Sequence, residues 1–520
     1  MVVLNSNHSS PDHLLKKPKM PDLTPDHISP TFPLLNLFSV HCRFCIVIFV
    51  LLLQALLLLL SYYRPSSFYP PRHGFPSSIS RSSIITTSTA PASVTTTTST
   101  SIIEKATRCQ FGKIFVYDLP PMFNIETYRN CDKLNPWQSR CEALSNGGYG
   151  RQAAELSGVV PRNLVHAWYW TNQFASEIIF HHRILHHKCR TEEPDSAAAF
   201  YIPFYAGFAV EKYLWSETSA KERDKHCEMV LDWIQQQQPY FNRSNGLDHF
   251  ITMGRITWDF RRTRDNDWGS HCIYTPAMMN ITRLLIERNP WDYFDIGVPY
   301  PTGFHPSTDS DVSAWQEFVR SRDRKTLFCF AGATRRFIRN DFRGLLLSHC
   351  RNESDSCRVV DCTGNRCSDG TSKILQTFLD SDFCLQPRGD SFTRKSLFDC
   401  MLAGSIPVFF WRRTAYFQYQ LFLPVEPESY SVFIHRDEVK NGTSLRRVLE
   451  SYSKEEVRRM REKIVEFIPR IVYAKPIGGL ENIKDAFEIA IDGVLKRIKE
   501  HKDKGYELNM PRDGYSRLKQ

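Results

Sequence analysis

The run from Phe44 to Tyr63 constrains this chain more than any other feature: twenty residues without a charge, among them Leu51-Leu-Leu-Gln-Ala-Leu-Leu-Leu-Leu-Leu60. At about 1.5 Å of rise per residue, a helix of that length crosses a hydrocarbon core of about 30 Å. A cleaved signal peptide would start with its apolar run and end on small residues, whereas here 43 residues come first and Ser-Tyr-Tyr-Arg follows. The run therefore predicts an uncleaved, single-pass transmembrane signal anchor at 44–63. Lys16, Lys17, Lys19 and Arg43 on one side are balanced by Arg64, Arg72 and Arg81 on the other, so flanking charge leaves the orientation open. Two features beyond the span supply it. Asn-X-Ser/Thr sequons, the expected glycosylation sites, begin at Asn242, Asn280, Asn352 and Asn441, and thirteen of the fifteen cysteines lie after residue 108. Both suit an oxidising lumen, and together they predict a type II membrane protein with a cytosolic tail at 1–43. Residues 64–108 are rich in Ser, Thr and Pro and carry too little apolar surface to offset the entropy of ordering, so they read as a disordered stem.

The net charge of +10 invites a nucleic-acid reading until it is located. Residues 1–43 contribute +1 (four Lys/Arg, three Asp), 64–108 contribute +4 (five against one), and 496–520 another +4 (eight against four), which leaves +1 for 109–495. A nearly neutral body excludes a nucleic-acid-binding core.

Within the body, apolar strand-like runs alternate with helical ones. Lys113 to Pro120 reads as a strand, Phe174 to His187 as a helix and Ala199 to Tyr205 as a strand. A Gly- and Pro-rich passage at 297–316 marks a crossing between an N-terminal lobe at 109–305 and a C-terminal lobe at 306–500, with a basic tail at 501–520. In the second lobe the order is strand Thr326–Ala331, strand Asp382–Gln386, loop Pro387–Ser391, helix Thr393–Ala403 and strand Ile406–Phe410. Gly404 stands where a helix C-cap needs a left-handed residue, and Ser453-Lys-Glu-Glu456 is a capping box. A last amphipathic helix runs from about Ile483 to Ile498. The succession predicts an α/β fold with parallel sheets and ligands at the carboxyl ends of strands.

Chemistry concentrates in the segment from Phe383 to Val408. Gly389 permits close backbone approach, and the following helix points free N–H groups at the loop. Arg388, Arg394 and Lys395 add cations at the same end, and a basic run of Arg335, Arg336 and Arg339 follows the earlier strand Thr326–Ala331. Ser391 lies in the loop, and Asp399 is an acceptor suited to ribose hydroxyls. The competing structural account is a capped helix with an ordinary ion pair. Two Asp-X-Asp pairs, Asp309 with Asp311 and Asp380 with Asp382, could hold a metal, but their positions favour turn and capping roles, so no metal site is assigned. His181, His182, His186 and His187 read as a solvated helix face, because Arg183 stands where a zinc site would need Glu. Cys350, Cys357, Cys362 and Cys367 read as disulfides rather than a zinc knot, and thirteen lumenal cysteines leave one over. Nine of the ten Trp precede residue 320, and Trp170, Trp215 and Trp258 are candidates to touch sugar.

The segment Phe383 to Val408, together with Phe115-Val-Tyr-Asp-Leu-Pro120, Asn135-Pro-Trp-Gln-Ser-Arg-Cys141, Cys189 to Tyr205, Asp248 to Phe260, Val298 to His305 and Leu327-Phe-Cys-Phe-Ala-Gly-Ala333, resembles the exostosin-like glycosyltransferases of family 47. Within the plant branch it looks like the xyloglucan galactosyltransferases of the L-side-chain type. The resemblance implies a GT-B architecture of two Rossmann-like lobes, the N-terminal one (109–305) on the acceptor side and the C-terminal one (306–500) holding the nucleotide sugar. It also implies an inverting transfer of galactose from UDP-galactose to xylosyl side chains of xyloglucan, in the Golgi membrane and alongside other wall glycosyltransferases. The donor would be held by Arg335, Arg388, Gly389, Ser391, Arg394, Lys395 and Asp399 without a divalent metal or other cofactor, and the base sought among His249, Asp259 and Glu177. Many family members carry Arg where this chain has Ser396, so Arg394 or Lys395 has to substitute. The alternatives are another donor or acceptor, such as galacturonosyl transfer, and a non-catalytic Golgi glycan-binding protein.

Overall fold

The computed structural model describes Gln54 and residues 109–505, apart from 136–138, 238, 336–340, 365–366 and 368–371. Gln54 aside, the predicted anchor lies outside the described residues, as do the cytosolic tail, the stem, Arg336 and Arg339 of the basic run, and the C-terminal tail beyond 505. Among the described residues no helix is long and apolar enough to cross a membrane.

In the first lobe β1 (Lys113–Val116) is followed by a two-stranded antiparallel ribbon, β2 (Arg151–Gln152) with β3 (Tyr169–Trp170). Then come β4 (Arg190–Thr191), β5 (Ala197–Ile202), β6 (His249–Ile256), β7 (Thr282–Glu287) and β8 (Asp295–Gly297). Without the ribbon these form one parallel sheet in the order β4-β1-β5-β6-β7-β8. Every residue of β6 and β7 is buried, which is why their sequences run almost without alternation: helices cover both faces. The second lobe carries β9 (Thr326–Gly332), β10 (Cys357–Asp361), β11 (Ser381–Gln386), β12 (Ile406–Phe409) and β13 (Val432–Phe433), parallel in the order β10-β9-β11-β12-β13. The α/β reading and the two Rossmann-like sheets are thus present.

Local signals behave as their chemistry dictates. Gly404 has φ +67° and follows the helix Ser396–Leu402, and Ser453 and Glu456 form the reciprocal box that opens Lys454–Phe467. The helix before Gly404 starts at Ser396 rather than Thr393, because Thr393 and Arg394 are drawn into the loop. Twelve cysteines pair as Cys109–Cys189, Cys131–Cys141, Cys227–Cys272, Cys350–Cys357, Cys362–Cys367 and Cys384–Cys400, and the leftover thiol is the buried Cys329.

One expectation is overturned. The helix Ser176–Ile184 is not a solvated histidine face: His181 and Arg183 on it are buried, as is His187 beyond its end. His181 hydrogen-bonds the Tyr205 hydroxyl at 3.0 Å. Arg183 is wholly enclosed, donating to Asp485 at 2.7 Å and to the Ala474 carbonyl at 2.9 Å. Those partners belong to a return of the chain. The final helix, Ala486–Asp503, packs on the first lobe, with Phe487 5.2 Å from Phe180 and His501 2.7 Å from the Tyr293 hydroxyl. It also runs past residue 500, the expected end of the second lobe. Between the sheets Trp315 is fully buried against Trp168 at 4.8 Å and Phe304 at 5.4 Å, and the Tyr419 hydroxyl donates to the Ile286 carbonyl at 2.6 Å.

Candidate active site

In the second sheet the chain leaves β9 for β10 on one side and returns to β11 on the other, so the loops after β9 and β11 diverge at a topological switch point. Ligands of open α/β sheets bind in the crevice at such a point. The first loop carries Arg335 and leads through the cap Asp341 into the helix Phe342–Asn352; the second is Pro387 to Lys395. Arg335 reaches across, donating to the Gly389 carbonyl and, at 2.7 Å, to Asp390. Arg343, in the first turn of its helix, donates to the Arg388 carbonyl at 3.2 Å. Arg394 turns inward to the Ala331 carbonyl at 2.5 Å, while its Nη1 is buried with no hydrogen-bond partner among the described residues. Arg388 lies over the Trp411 ring at 5.5 Å.

These cations are poorly compensated. Burial, then the charges of Arg394 and Arg335, holds Arg343 down at about 9, and burial with the charge of Arg335 holds Arg394 at about 10. Asp341 and Asp390 are the carboxylates that oppose them. Among the described residues Arg335, Arg343 and Arg394 outnumber those two carboxylates, and such a cluster complements a diphosphate ester.

Gly389 serves a different purpose from the expected one. A Cβ there would collide with the Thr393 carbonyl, so the glycine admits the loop's own backbone rather than a ligand. Nor does the Phe392 N–H face a phosphate: it donates at 2.8 Å to Glu287, the last residue of β7 in the other lobe. Ser391 is buried beside it. Lys395 pairs with Asp399 at 2.7 Å, and both line a cavity whose other wall is Trp168, Tyr169, Trp170 and Gly303 of the first lobe. Asp399 therefore faces the cleft with its charge partly met. Trp170 lines the same cavity, whereas Trp215 packs edge-on against Trp268 at 5.1 Å, and Trp258 stands half-buried just past β6.

The three base candidates are placed inside the first lobe: Glu177 and Asp259 both flank Arg255, and His249 stands apart at the other end of β6. His249 opens β6, at the end opposite to the one where ligands enter, and is wholly buried between Asp248 at 2.7 Å and the Tyr117 hydroxyl at 2.9 Å. Burial pushes its imidazole below the ordinary value. Asp259 is saturated by Arg255 and by the Trp268 indole, each at 2.7 Å. Glu177 accepts from the N–H of Gly207 at 2.6 Å and of Gly254 at 2.8 Å, and burial raises it to about 8. Each is a hydrogen-bonded core residue. The Asp-X-Asp pairs are likewise engaged: Asp311 caps Asp309–Ser321, Asp309 accepts from Asn482, Asp380 pairs with Arg322 at 2.6 Å, and Asp382 with Arg461. Of the sequon asparagines, Asn242, Asn352 and Asn441 are exposed, while Asn280 is half-buried and its amide donates to the Asn245 carbonyl at 3.1 Å.

Sequence reasoning passed over Arg343, Glu287 and Trp411. The signal was available for the first two. Arg343 holds the same strand-loop-helix position after β9 that Arg394 and Lys395 hold after β11, and Glu287 is a carboxylate ending an apolar strand.

Residues 108–451 match the exostosin GT47 domain. The chain is 59% identical over 511 residues to xyloglucan galactosyltransferase XLT2 of Arabidopsis thaliana, a match spanning 95% of this chain and 98% of that one. It is 41% identical to xyloglucan galactosyltransferase MUR3 of the same plant, over 76% of this chain and 64% of the other. Among solved structures, an alpha-glucosyltransferase in complex with UDP gives a TM-score of 0.28 at 13% identity, over 60% of this chain and 88% of that one. On the domain match and these relatives, the chain belongs to the exostosin GT47 family of glycosyltransferases.

Proposed function

We propose that this chain transfers galactose from UDP-galactose to xylosyl side chains of xyloglucan, with inversion, in the Golgi lumen, tethered by residues 44–63. The observation that carries the reading is likeness over nearly the whole of both chains to a protein named a xyloglucan galactosyltransferase. The switch-point cations supply its physical counterpart. In a single in-line displacement the departing UDP gains negative charge, and Arg335, Arg343, Arg388 and Arg394 stand where fixed positive charge would stabilise it. In this reading guanidinium groups take the charge that a divalent cation takes elsewhere. Lys395 and Asp399 meet the nucleoside end of the donor in the inter-lobe cavity, and the aromatic wall opposite serves sugar.

The test is transfer by the purified full chain from labelled UDP-galactose to xyloglucan oligosaccharides, with and without a chelator, followed by linkage analysis. A β-galactosyl product on xylose, formed at the same rate in chelator, is expected. A relative at 37% identity is named a xyloglucan-specific galacturonosyltransferase, so UDP-galacturonic acid belongs in the same assay, and preference for it would overturn the donor assignment.

A further inference from the structure

Glu287 is the last residue of β7, wholly buried, and has no ion-pair partner among the described residues. Its carboxylate is held from both lobes. Tyr300, in the crossing segment, donates its hydroxyl to Oε1 at 2.7 Å, and Phe392, in the loop after β11, donates its N–H to Oε2 at 2.8 Å. The Ser391 hydroxyl and the Thr393 N–H are directed at the same group. A lone carboxylate at the carboxyl end of a buried strand is costly, and here its acceptor capacity is spent on one stretch of the facing lobe.

That stretch is the centre of the cationic loop. The Phe392 ring stacks on Trp411 at 5.6 Å and 18°, and Trp411 is the surface on which Arg388 rests at 5.5 Å. On the other side of the clamp the next residues are Thr393 and Arg394, whose guanidinium enters the space beside Gly332, where a Cβ would stand 3.2 Å from its Nη2. Fixing 391–393 therefore fixes the cations on both flanks. Resting on the UDP-sugar reading above, we propose that Glu287 is a positioning residue for the donor: from the first lobe it sets the conformation of the loop 387–395 that presents Arg388 and Arg394 to the diphosphate, without touching the donor itself.

The test compares Glu287→Ala, Glu287→Gln and Tyr300→Phe with the wild type in the full chain, using UDP alone as the calorimetric probe and then KM for UDP-galactose and for xyloglucan separately. Losing the clamp should weaken UDP binding and raise the donor KM by about tenfold or more, with the acceptor KM within about twofold. Gln should recover most of this, because its carbonyl can accept from Phe392 while the Tyr300 hydroxyl turns to accept from its amide. Tyr300→Phe should show a smaller loss of the same kind, and it carries the test if the Ala variant does not fold. UDP affinity within twofold of wild type in the Ala variant, or in Tyr300→Phe should Ala not fold, would reduce Glu287 to a fastening between lobes. If the wild type binds UDP yet transfers no galactose, the substrate reading fails while the UDP comparison still decides the role of Glu287. If the wild type does not bind UDP, both fail.

Discussion

Arg343 and Arg394 are held below the ordinary guanidinium value by burial and by neighbouring positive charge, so in the reading proposed above a diphosphate would supply counter-charge to both. Replacing either with Ala should weaken UDP binding by about tenfold or more, and Arg394→Lys should restore part of it, since an ammonium keeps the charge and loses the fork. Calorimetry with UDP measures this, and unchanged affinity in both Ala variants would remove them from the site. At about 9 and 10 both groups stay protonated at neutral pH, so neither gives UDP binding a pH dependence between 6 and 8. Glu177 makes a different prediction. Raised from 4.5 to about 8, it is protonated in the folded chain and ionised in the unfolded one across that window, so its contribution to stability grows as pH falls from 8 towards 4.5. Melting curves at pH 5.5 and 8.5 should therefore show the wild type gaining on Glu177→Gln at the lower pH, and parallel curves would refute the assignment. Residue types told the sequence reader where polar chemistry lay but not which polar groups were enclosed. Arg394 and Glu177 look equally available as letters, and only packing separates a guanidinium with an orphaned Nη1 from a carboxylate seated on three N–H groups.

At the scale of elements, the loop 387–395 is pinned at both roots. Cys384 in β11 and Cys400 in the helix Ser396–Leu402 are joined, closing a span of 16 residues around the loop. Cross-linking a loop of that size is worth about 3 kcal/mol in chain entropy. Replacing Cys384 and Cys400 together by Ser should lower the melting temperature and loosen the loop, read as faster proteolysis between the two strands that flank it. A melting temperature equal to wild type would show that packing alone holds the arms. The strand-loop-helix order around this loop was legible because buried parallel strands are apolar runs and glycine caps are local. What faces the loop was not, since the bond from Glu287 joins residues 105 apart in sequence and leaves no periodic trace.

At the scale of the molecule, two lobes were readable from the Gly- and Pro-rich crossing, and a last amphipathic helix from its stripe. Its destination was not readable, because an apolar stripe does not name the surface it covers. Arg183 meets Asp485 across 302 residues of sequence, both wholly enclosed. Ending the chain at residue 480 should leave that arginine buried without its counter-charge, a loss of about 3–5 kcal/mol for such pairs. The shortened protein should fail to reach a protease-resistant state even in its first lobe. A resistant fragment covering 109–300 would contradict this. The return of the last helix also orders events at the ribosome. The first lobe is synthesised early, yet it must wait, open along the face that helix will cover, until residues 486–503 have been made. Synthesis of the last helix is thus a condition for completion of the part made first.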